Sequence, residues 1–336
     1  MKKIFFYHPG INIKNYLKNK NDYDSVSIKN INKYKNLEWK YVYSTFKKKS
    51  LLYNINSKTS FEIIFKEPNI FNKYYLHDIV KNNNKKIYNK YFVNQQLIKS
   101  NSDIDNFMKK DKYYIVKPIG FWAGIGIKVF NNKKKLKKYI KEFNIKNIKN
   151  RKYSGIIKKK KKIIKDWIIE DYIEKPLLIK EKKFHIRVLC LIFIKNNECL
   201  FYLFDHFFIF TAKKIYTLDN LDKNIHNTHF INFDELNNAY KQYNELDPKL
   251  LKQIKKQIIF MCKYIKTILP NMECYRESKN CFKFIGLDFM VQNNSQVKLI
   301  EINQRPGLPV RISSFWSGLI NLTLYGKKKS KNYKKL

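Results

Sequence analysis

Between Gly286 and Asn303 the chain reads G-L-D-F-M-V-Q-N-N-S-Q-V-K-L-I-E-I-N, two β-rich runs joined by a polar turn. A carboxylate interrupts each apolar run: Asp288 in the first and, thirteen residues later, Glu301 in the second, with Asn303 two residues on. Burying a carboxylate among apolar side chains costs several kcal/mol unless something compensates it. Hard oxygen ligands of this kind suit Mg²⁺, which completes its octahedron with waters and substrate phosphates. The pattern therefore suggests a nucleotide site. A hairpin whose polar residues simply face water would give the same letters, so the segment alone leaves both readings open.

The rest of the chain bears on that choice. Lys117 ends the run Y-Y-I-V-K-P, and the segment G-F-W-A-G-I-G-I-K-V-F then reads as a glycine-bearing loop and a second strand. Gly120, Gly124 and Gly126 allow backbone N–H groups to approach phosphate oxygens. No Gly-Lys-Ser/Thr follows, so the loop is not a Walker A motif. Next comes D-W-I-I-E-D-Y-I-E-K-P-L-L-I, a strand leading into a turn, and then K-F-H-I-R-V-L-C-L-I-F-I. With a period of two, Lys183, His185 and Arg187 share one strand face, while Phe184, Ile186 and Val188 share the other. Cations in register on one face repel one another, and meeting a polyphosphate would relieve that repulsion.

The series V-K-P with a glycine loop, E-D-Y-I-E-K-P-L-L-I, K-F-H-I-R, H-N-T-H-F-I-N, G-L-D-F-M and E-I-N-Q-R-P resembles the tubulin tyrosine ligase-like family of ATP-grasp ligases. The matching blocks run from Lys117 to Pro306. The resemblance implies an α/β (α+β) ATP-grasp fold with mixed and antiparallel sheets. It also implies ATP and Mg²⁺ as cofactors. Lys117 and Lys183 would contact the phosphates, beside a loop containing Gly124 and Gly126. Glu170, Tyr172 and Ile173 would line the adenine pocket, Glu170 where the family commonly has Gln. Arg187 would stabilise the transferred phosphoryl group, and Asp288, Glu301 and Asn303 would hold Mg²⁺. Arg187, Lys183 and Glu301 are thus the implied catalytic residues. The implied reaction activates a carboxylate as an acyl-phosphate, which an amine then displaces. Such chemistry depends on positioning and charge neutralisation more than on a protein nucleophile.

Three departures from the family pattern surround the implied pocket. His185 stands where the family's block has Asp, replacing an acceptor-only anion with a ring between two cations. The stretch F-D-H-F-F-I-F-T-A-K lacks the family's substrate-holding Arg, leaving Lys213 or Lys214 as stand-ins. His226-Asn227-Thr228-His229 loses the final Asn of the family's H-L-T-N. Two function classes follow. The first is a ligase adding an amino acid, with glutamate first and glycine or tyrosine as alternatives, to tubulin or another acidic protein tail. The second is a pseudo-ligase that binds microtubules or other polyanions through a lysine-rich surface. Arg305 in N-Q-R-P reads equally as a substrate contact or a surface ion pair.

The formal charge of +42 would ordinarily point to nucleic acid. Arginine, however, stands only at positions 151, 187, 276, 305 and 311, so the positive charge is almost all lysine. Readers of phosphate and bases favour arginine's bidentate fork, which argues against a nucleic-acid partner. A field of this size would still attract acidic protein tails. No run of eighteen apolar residues exists, so no membrane span is expected. The N-terminus lacks the apolar core of a signal peptide. Cys190, Cys199, Cys262, Cys274 and Cys281 lack C-x-x-C spacing, and reduced thiols in a cytoplasmic protein, associated with microtubules on the family reading, are expected.

The expected organisation is an N-terminal α/β subdomain over 1–85, a central ATP-grasp subdomain over 86–165, and a larger C-terminal catalytic domain over 166–326. The first contains short strand-like runs at Lys3–Tyr7, Trp39–Ser44 and Phe61–Phe65. The second carries the glycine loop, a helix around Lys133–Phe143 and the solvated lysine run Lys158–Lys162. In the third, Asp247 reads as an N-cap with Pro248 in the first turn. Leu250, Leu251, Ile254, Ile258, Met261 and Ile265 then recur at helical spacing until Pro270. A basic tail over 327–336 is expected to be disordered.

Overall fold

The computed structural model describes residues 3–6, 25–26, 39–43, 61–65, 68–119, 124–143, 166–195, 198–228, 246–274, 280–304, 306, 312–323 and 330–336. Gly120, His229, Arg305 and the run Lys158–Lys162 lie outside these. Strand β1 (Lys3–Phe6) sits between β2 (Ser25–Val26) and β3 (Trp39–Tyr43) in a parallel sheet. β4 (Phe61–Phe65) belongs to a different, larger sheet. A 3-10 turn, Pro68–Phe71, then leads into α1 (Lys73–Asn83) and α2 (Lys85–Tyr91). Asparagine caps start both helices: Asn72 Oδ1 accepts from Tyr74 N at 2.9 Å, and Asn84 Oδ1 accepts from Ile87 N at 2.9 Å.

The small sheet is built next, from β5 (Gln95–Ile98), β6 (Tyr114–Pro118), β7 (Lys128–Phe130) and β8 (Trp167–Asp171), with α3 (Asn101–Phe107) and α4 (Lys133–Glu142) in between. Its order is β5-β8-β6-β7, antiparallel throughout. Alternation sorts its side chains. Tyr114, Val116, Trp167 and Ile169 pack with Ile104 and Leu136 of the helices. Ile115, Lys117 and Glu170 are left to the opposite face.

The large sheet takes β9 (Leu178–Ile179), β10 (Lys182–Lys195), β11 (Glu198–Phe204) and β12 (Phe208–Thr211). After α5 (Lys223–His226) and α6 (Pro248–Ile268) come β13 (Met272–Cys274), β14 (Asn280–Val291) and β15 (Val297–Asn303), then α7 (Ser313–Thr323) and β16 (Tyr333–Lys335). Its order is β13-β4-β14-β10-β11-β16, with β15 beside β14 and with β9 and β12 beside β10. One face packs Ile186, Val188, Ile285 and Leu287 against the Ile254–Ile265 stripe of α6. The other packs Leu189, Leu191 and Phe284 against Phe315 and Leu319 of α7. The fold class is the α+β expected, and α6 begins as the sequence indicated, with Asp247 Oδ1 accepting from Leu250 N at 2.9 Å.

Several expectations are corrected. The boundary at residue 85 falls where α2 begins, and β4 pairs with β13 and β14, so both sides of it contribute to the large sheet. β8, placed in the C-terminal domain by its position, completes the small sheet. Strand pairing here joins segments far apart in sequence, which composition breaks do not reveal. Cys274 and Cys281 form a disulfide where free thiols were expected. β4 pairs Ile63 with Cys274 and Phe61 with Cys281, bringing the two to a Cα–Cα distance of 5.5 Å. Cys190 and Cys262 are buried and free, and Cys199 is exposed and free.

The basic tail also departs from expectation, because Tyr333–Lys335 pairs with β11. Tyr333 is buried against Phe204 and Phe315, and its hydroxyl donates to Phe315 O at 3.1 Å. One aromatic side chain with a satisfied hydroxyl is enough to anchor an otherwise polar segment. Tyr333→Ala is expected to destabilise the chain by about 2–4 kcal/mol in denaturant unfolding. An unchanged midpoint would show that the tail contributes nothing to the fold.

Candidate functional site

The bare face of the small sheet and one end of the large sheet enclose a cleft with about 660 Å³ of empty space, part of it open to solvent. On the large sheet, Lys183, His185 and Arg187 occupy the same face of β10 as Leu189 and Leu191, one end charged and the other apolar. The face sharing read from the sequence is thus the observed one. Register then sets a lateral row: Arg187 lies opposite Asp288 in β14, and Asp288 lies opposite Glu301 in β15.

Plain alternation would not give this row. Leu299 and Glu301 are two apart and should share a face, yet Leu299 is in the core beside Phe289. The register shifts between Asp288 and Phe289, leaving Ile300 as an extra residue in β15. Such a bulge reverses the parity of the strand and re-aims a side chain. Glu301 and Asn303 consequently turn to the cleft side while Leu299 and Ile302 stay in the core.

Each carboxylate of the row has its own cation. Arg187 binds Asp288 in a fork, Nε to Oδ1 at 2.7 Å and Nη2 to Oδ2 at 2.6 Å. Lys73, the first residue of α1, lies 2.9 Å from Glu301 Oε2. Asn303 Nδ2 donates to Asp288 Oδ2 and to Glu301 Oε1, both at 3.0 Å, so one amide bridges the other two candidate metal ligands. Burial alone would lower the pKa of Lys73 and Arg187, but Glu301 and Asp288 respectively raise each above its ordinary value. Both therefore remain charged.

Across the cleft, Ile115 faces Glu170 between β6 and β8, which makes Lys117 the diagonal neighbour of Glu170 on the same face. Their ion pair measures 2.5 Å and is almost fully buried. Glu170 Oε2 takes that bond, while the buried Oε1 has no hydrogen-bond partner among the described residues. A buried acceptor without a donor costs about 1–3 kcal/mol and marks a place where a ligand N–H would fit.

Between these two walls runs a chain of hydrogen bonds. His226 Nε2 lies 2.8 Å from the Asn220 carbonyl, which can only accept, so Nε2 carries the proton. His226 Nδ1 therefore accepts from the Tyr172 hydroxyl at 2.6 Å, and Tyr172 Oη in turn accepts from Lys183 Nζ at 2.7 Å. Burial lowers the pKa of His226 to about 4, consistent with the neutral ring. Burial, then the nearby Lys117, brings Lys183 down to about 7. His185 Nδ1 meets Thr228 Oγ1 at 2.7 Å, and its ring stacks on Phe210 with centroids 4.9 Å apart.

Lys117, Glu170, Tyr172, Ile173, Lys183, Asp288 and Glu301 line the cleft, as do His185, His226 and Thr228. Arg187 and Asn303 reach it through Asp288. Gly124 and Gly126 are not on its wall. They form the β6–β7 turn with φ of +71° and +73°, where a Cβ on Gly124 would come within 2.2 Å of Asn227 Nδ2. Of the stand-in lysines, Lys214 is drawn off to Asp222 at 2.7 Å, and Lys213 is exposed. Lys73 was missed: nothing near it in sequence signals a partner in β15. Met290 and Ile300 were missed as lining residues, because one is an ordinary alternating position and the other exists only through the bulge.

The residues fit a divalent cation. Asp288, Glu301 and Asn303 offer hard oxygen donors in one patch, once the Asn303 amide turns its oxygen inward. The described residues contain no cluster of three His, Cys, Asp or Glu, so the amide is needed as the third donor. They also contain no helix long and apolar enough to cross a membrane.

A model of the tubulin-tyrosine ligase family matches residues 47–249 and 222–313. Tubulin glycylase 3C of Tetrahymena thermophila is 26% identical over 260 residues, 67% of this chain and 22% of that protein. Tubulin glycylase 3B of Drosophila melanogaster is 25% identical over 166 residues, 43% of this chain and 21% of its own length. A probable tubulin–tyrosine ligase of Schizosaccharomyces pombe is 28% identical over 158 residues, 43% of this chain and 36% of its own length. The chain thus spans about a fifth to a third of the length of these relatives.

The buried Lys183 gives a stability prediction. Its folded pKa, about 7, is below its unfolded value, so its charge opposes folding fully below pH 7 and ceases to do so as pH rises toward 10.5. Lys183→Met is expected to be more stable than the parent by about 1–3 kcal/mol at pH 6. The advantage should shrink steadily between pH 7 and about pH 10 in paired urea titrations. A variant less stable at pH 6 would contradict this account.

Proposed function

We propose that this chain, which belongs to the tubulin-tyrosine ligase family, is an ATP-dependent ligase that joins an amino acid to tubulin or another acidic protein. The observation that carries the reading is one cleft walled by the small antiparallel sheet and the large mixed sheet. It gathers three oxygen donors, the cations Lys117, Lys183 and Arg187, and a buried acceptor at Glu170. ATP would supply the phosphoryl group that turns a carboxylate into an acyl-phosphate; an incoming amine then displaces phosphate, leaving an amide, ADP and inorganic phosphate.

The chain's own groups have separate tasks. Glu170 Oε1 would accept from the exocyclic amine of adenine beside Tyr172 and Ile173. Lys117 and Lys183 would neutralise phosphate oxygens. Asp288, Glu301 and Asn303 would hold Mg²⁺, which supplies charge neutralisation at the transferred group. With Mg²⁺ held there, Arg187 and Lys73, now paired with Asp288 and Glu301, would be able to face anionic oxygens. Catalysis then rests on fixed charges rather than on a nucleophilic side chain.

The sequence put glutamate first among the added amino acids. The named relatives, glycylases and tyrosine ligases, support glycine or tyrosine instead. The pseudo-ligase reading is favoured by one observation: His185, engaged by Thr228 and Phe210, stands where the family pattern carries a carboxylate.

ATP-dependent incorporation of labelled glycine, glutamate and tyrosine into tubulin tests the proposal, with Glu301→Gln as the control. Incorporation of glycine or tyrosine that falls roughly 100-fold or more in the variant is the expected result. Intact ATP and tubulin binding without incorporation would favour the pseudo-ligase. Nucleotide binding should also take up a proton at pH 8 and almost none at pH 6, because phosphates would recharge Lys183, whose free pKa is about 7. Calorimetry in two buffers of different ionisation enthalpy reads this directly.

A further inference from the structure

Lys298 makes contacts that the cleft residues do not account for. It lies near the start of β15, opposite Met290, and its ammonium donates to three backbone carbonyls: Lys90 O at 2.9 Å, Phe92 O at 3.0 Å and Asn89 O at 3.3 Å. These belong to the C-terminal end of α2, where helix carbonyls lack intrahelical partners and carry partial negative charge. An ammonium has three hydrogens to give, and all three have an acceptor here. From the other side, Gln257 of α6 accepts from Val297 N at 3.1 Å. The part of β15 before the bulge is therefore fastened on two flanks, one residue short of Leu299 and two short of Ile300.

We propose that Lys298 is a positioning residue for Glu301: by fixing the start of β15 to the end of α2, it holds the Ile300 bulge that turns Glu301 toward Asp288. Without that fastening, the strand can relax to regular pairing, which by parity directs residue 301 into the core with Leu299. Glu301 and Asn303 are the candidate metal ligands that depend on the bulge, since both follow it on β15 while Asp288 lies on β14. The loss should therefore appear in metal binding before it appears anywhere else. The same carbonyl anchor adjoins Val93, which lines the cleft. The inference rests on the Mg²⁺ and nucleotide site proposed above.

The test measures ATP affinity of the full chain, with and without Mg²⁺, for the parent, Lys298→Met and Lys298→Arg. Lys298→Met is expected to need roughly tenfold more Mg²⁺ for half-maximal enhancement of ATP binding, a loss typical of an outer residue that orients a ligand. Metal-free ATP affinity should stay within about twofold of the parent value. Lys298→Arg, which keeps the charge but fans its hydrogens into a planar fork, should be intermediate. Thermal unfolding of each variant reports whether it is folded, and if Lys298→Met is not, Lys298→Arg carries the comparison. An unchanged Mg²⁺ requirement in a folded variant overturns the proposal, and so does an equal loss of metal-free and metal-dependent binding. A parent chain that binds neither ATP nor Mg²⁺ overturns the underlying site reading instead, and the proposal with it.

Discussion

A row of four charges, with two carboxylates between two cations, Lys73, Glu301, Asp288 and Arg187, crosses from α1 through β15 and β14 to β10, and the rest of the site is arranged around its need for balance. Two carboxylates on neighbouring strands repel each other, and each is too buried to rely on water. Arg187 and Lys73 therefore each take one, and the Asn303 amide donates to both. Removing either cation would leave a buried anion exposed to the other's field. This requirement ties α1, which starts far from the sheet in sequence, to the edge of β15. It also explains why a region within the first 85 residues packs on the large sheet.

The second constraint is the conflict between burying a cation and using it. Lys183 is more than nine-tenths buried, with a phenol as its bonding partner and another lysine nearby. A fold selected for stability alone would place an apolar residue there. Its retention beside Tyr172 and His226 makes sense if an anion enters the cleft and restores the charge. The orphaned oxygen of Glu170 presents the same logic with opposite polarity: an acceptor held dry until a donor arrives. Together they describe a cleft whose electrostatics are completed by a ligand with both N–H donors and anionic oxygens.

What could be read from the sequence follows from which rules are local. The alternation of Lys183, His185 and Arg187, the helical stripe from Leu250 to Ile265 and the cap at Asp247 are short-range patterns, and all three are present as read. The convergence of Lys117, Glu170, Lys183, Asp288 and Glu301 was available only through the resemblance, because their strands are separated by long segments. Lys73 and the bulge at Ile300 were not legible. A lysine among sixty-nine basic residues carries no mark of its partner, and V-K-L-I-E-I-N reads as regular alternation until its register against β14 is known. The strand at Tyr333 was hidden by the lysines around it, and the Cys274–Cys281 pair by β4, which supplies the juxtaposition that spacing does not.

The departure at position 185 bears on turnover more than on nucleotide binding. A carboxylate there would stand between Lys183 and Arg187 on the same strand face and compensate both. The imidazole instead bonds Thr228 and stacks on Phe210, a ring that also lies 5.4 Å from the Arg187 guanidinium. The face thus keeps its cations and loses an anion, which favours a highly charged phosphate chain. The same change removes an acceptor that could orient an incoming ammonium group before it loses its proton. On the proposed reading, His185 leaves the first half of the reaction its electrostatic support, and the second half must find its amine-orienting acceptor elsewhere in the cleft. On that reading Glu170 is taken by Lys117 and adenine, and Asp288 and Glu301 would hold the metal.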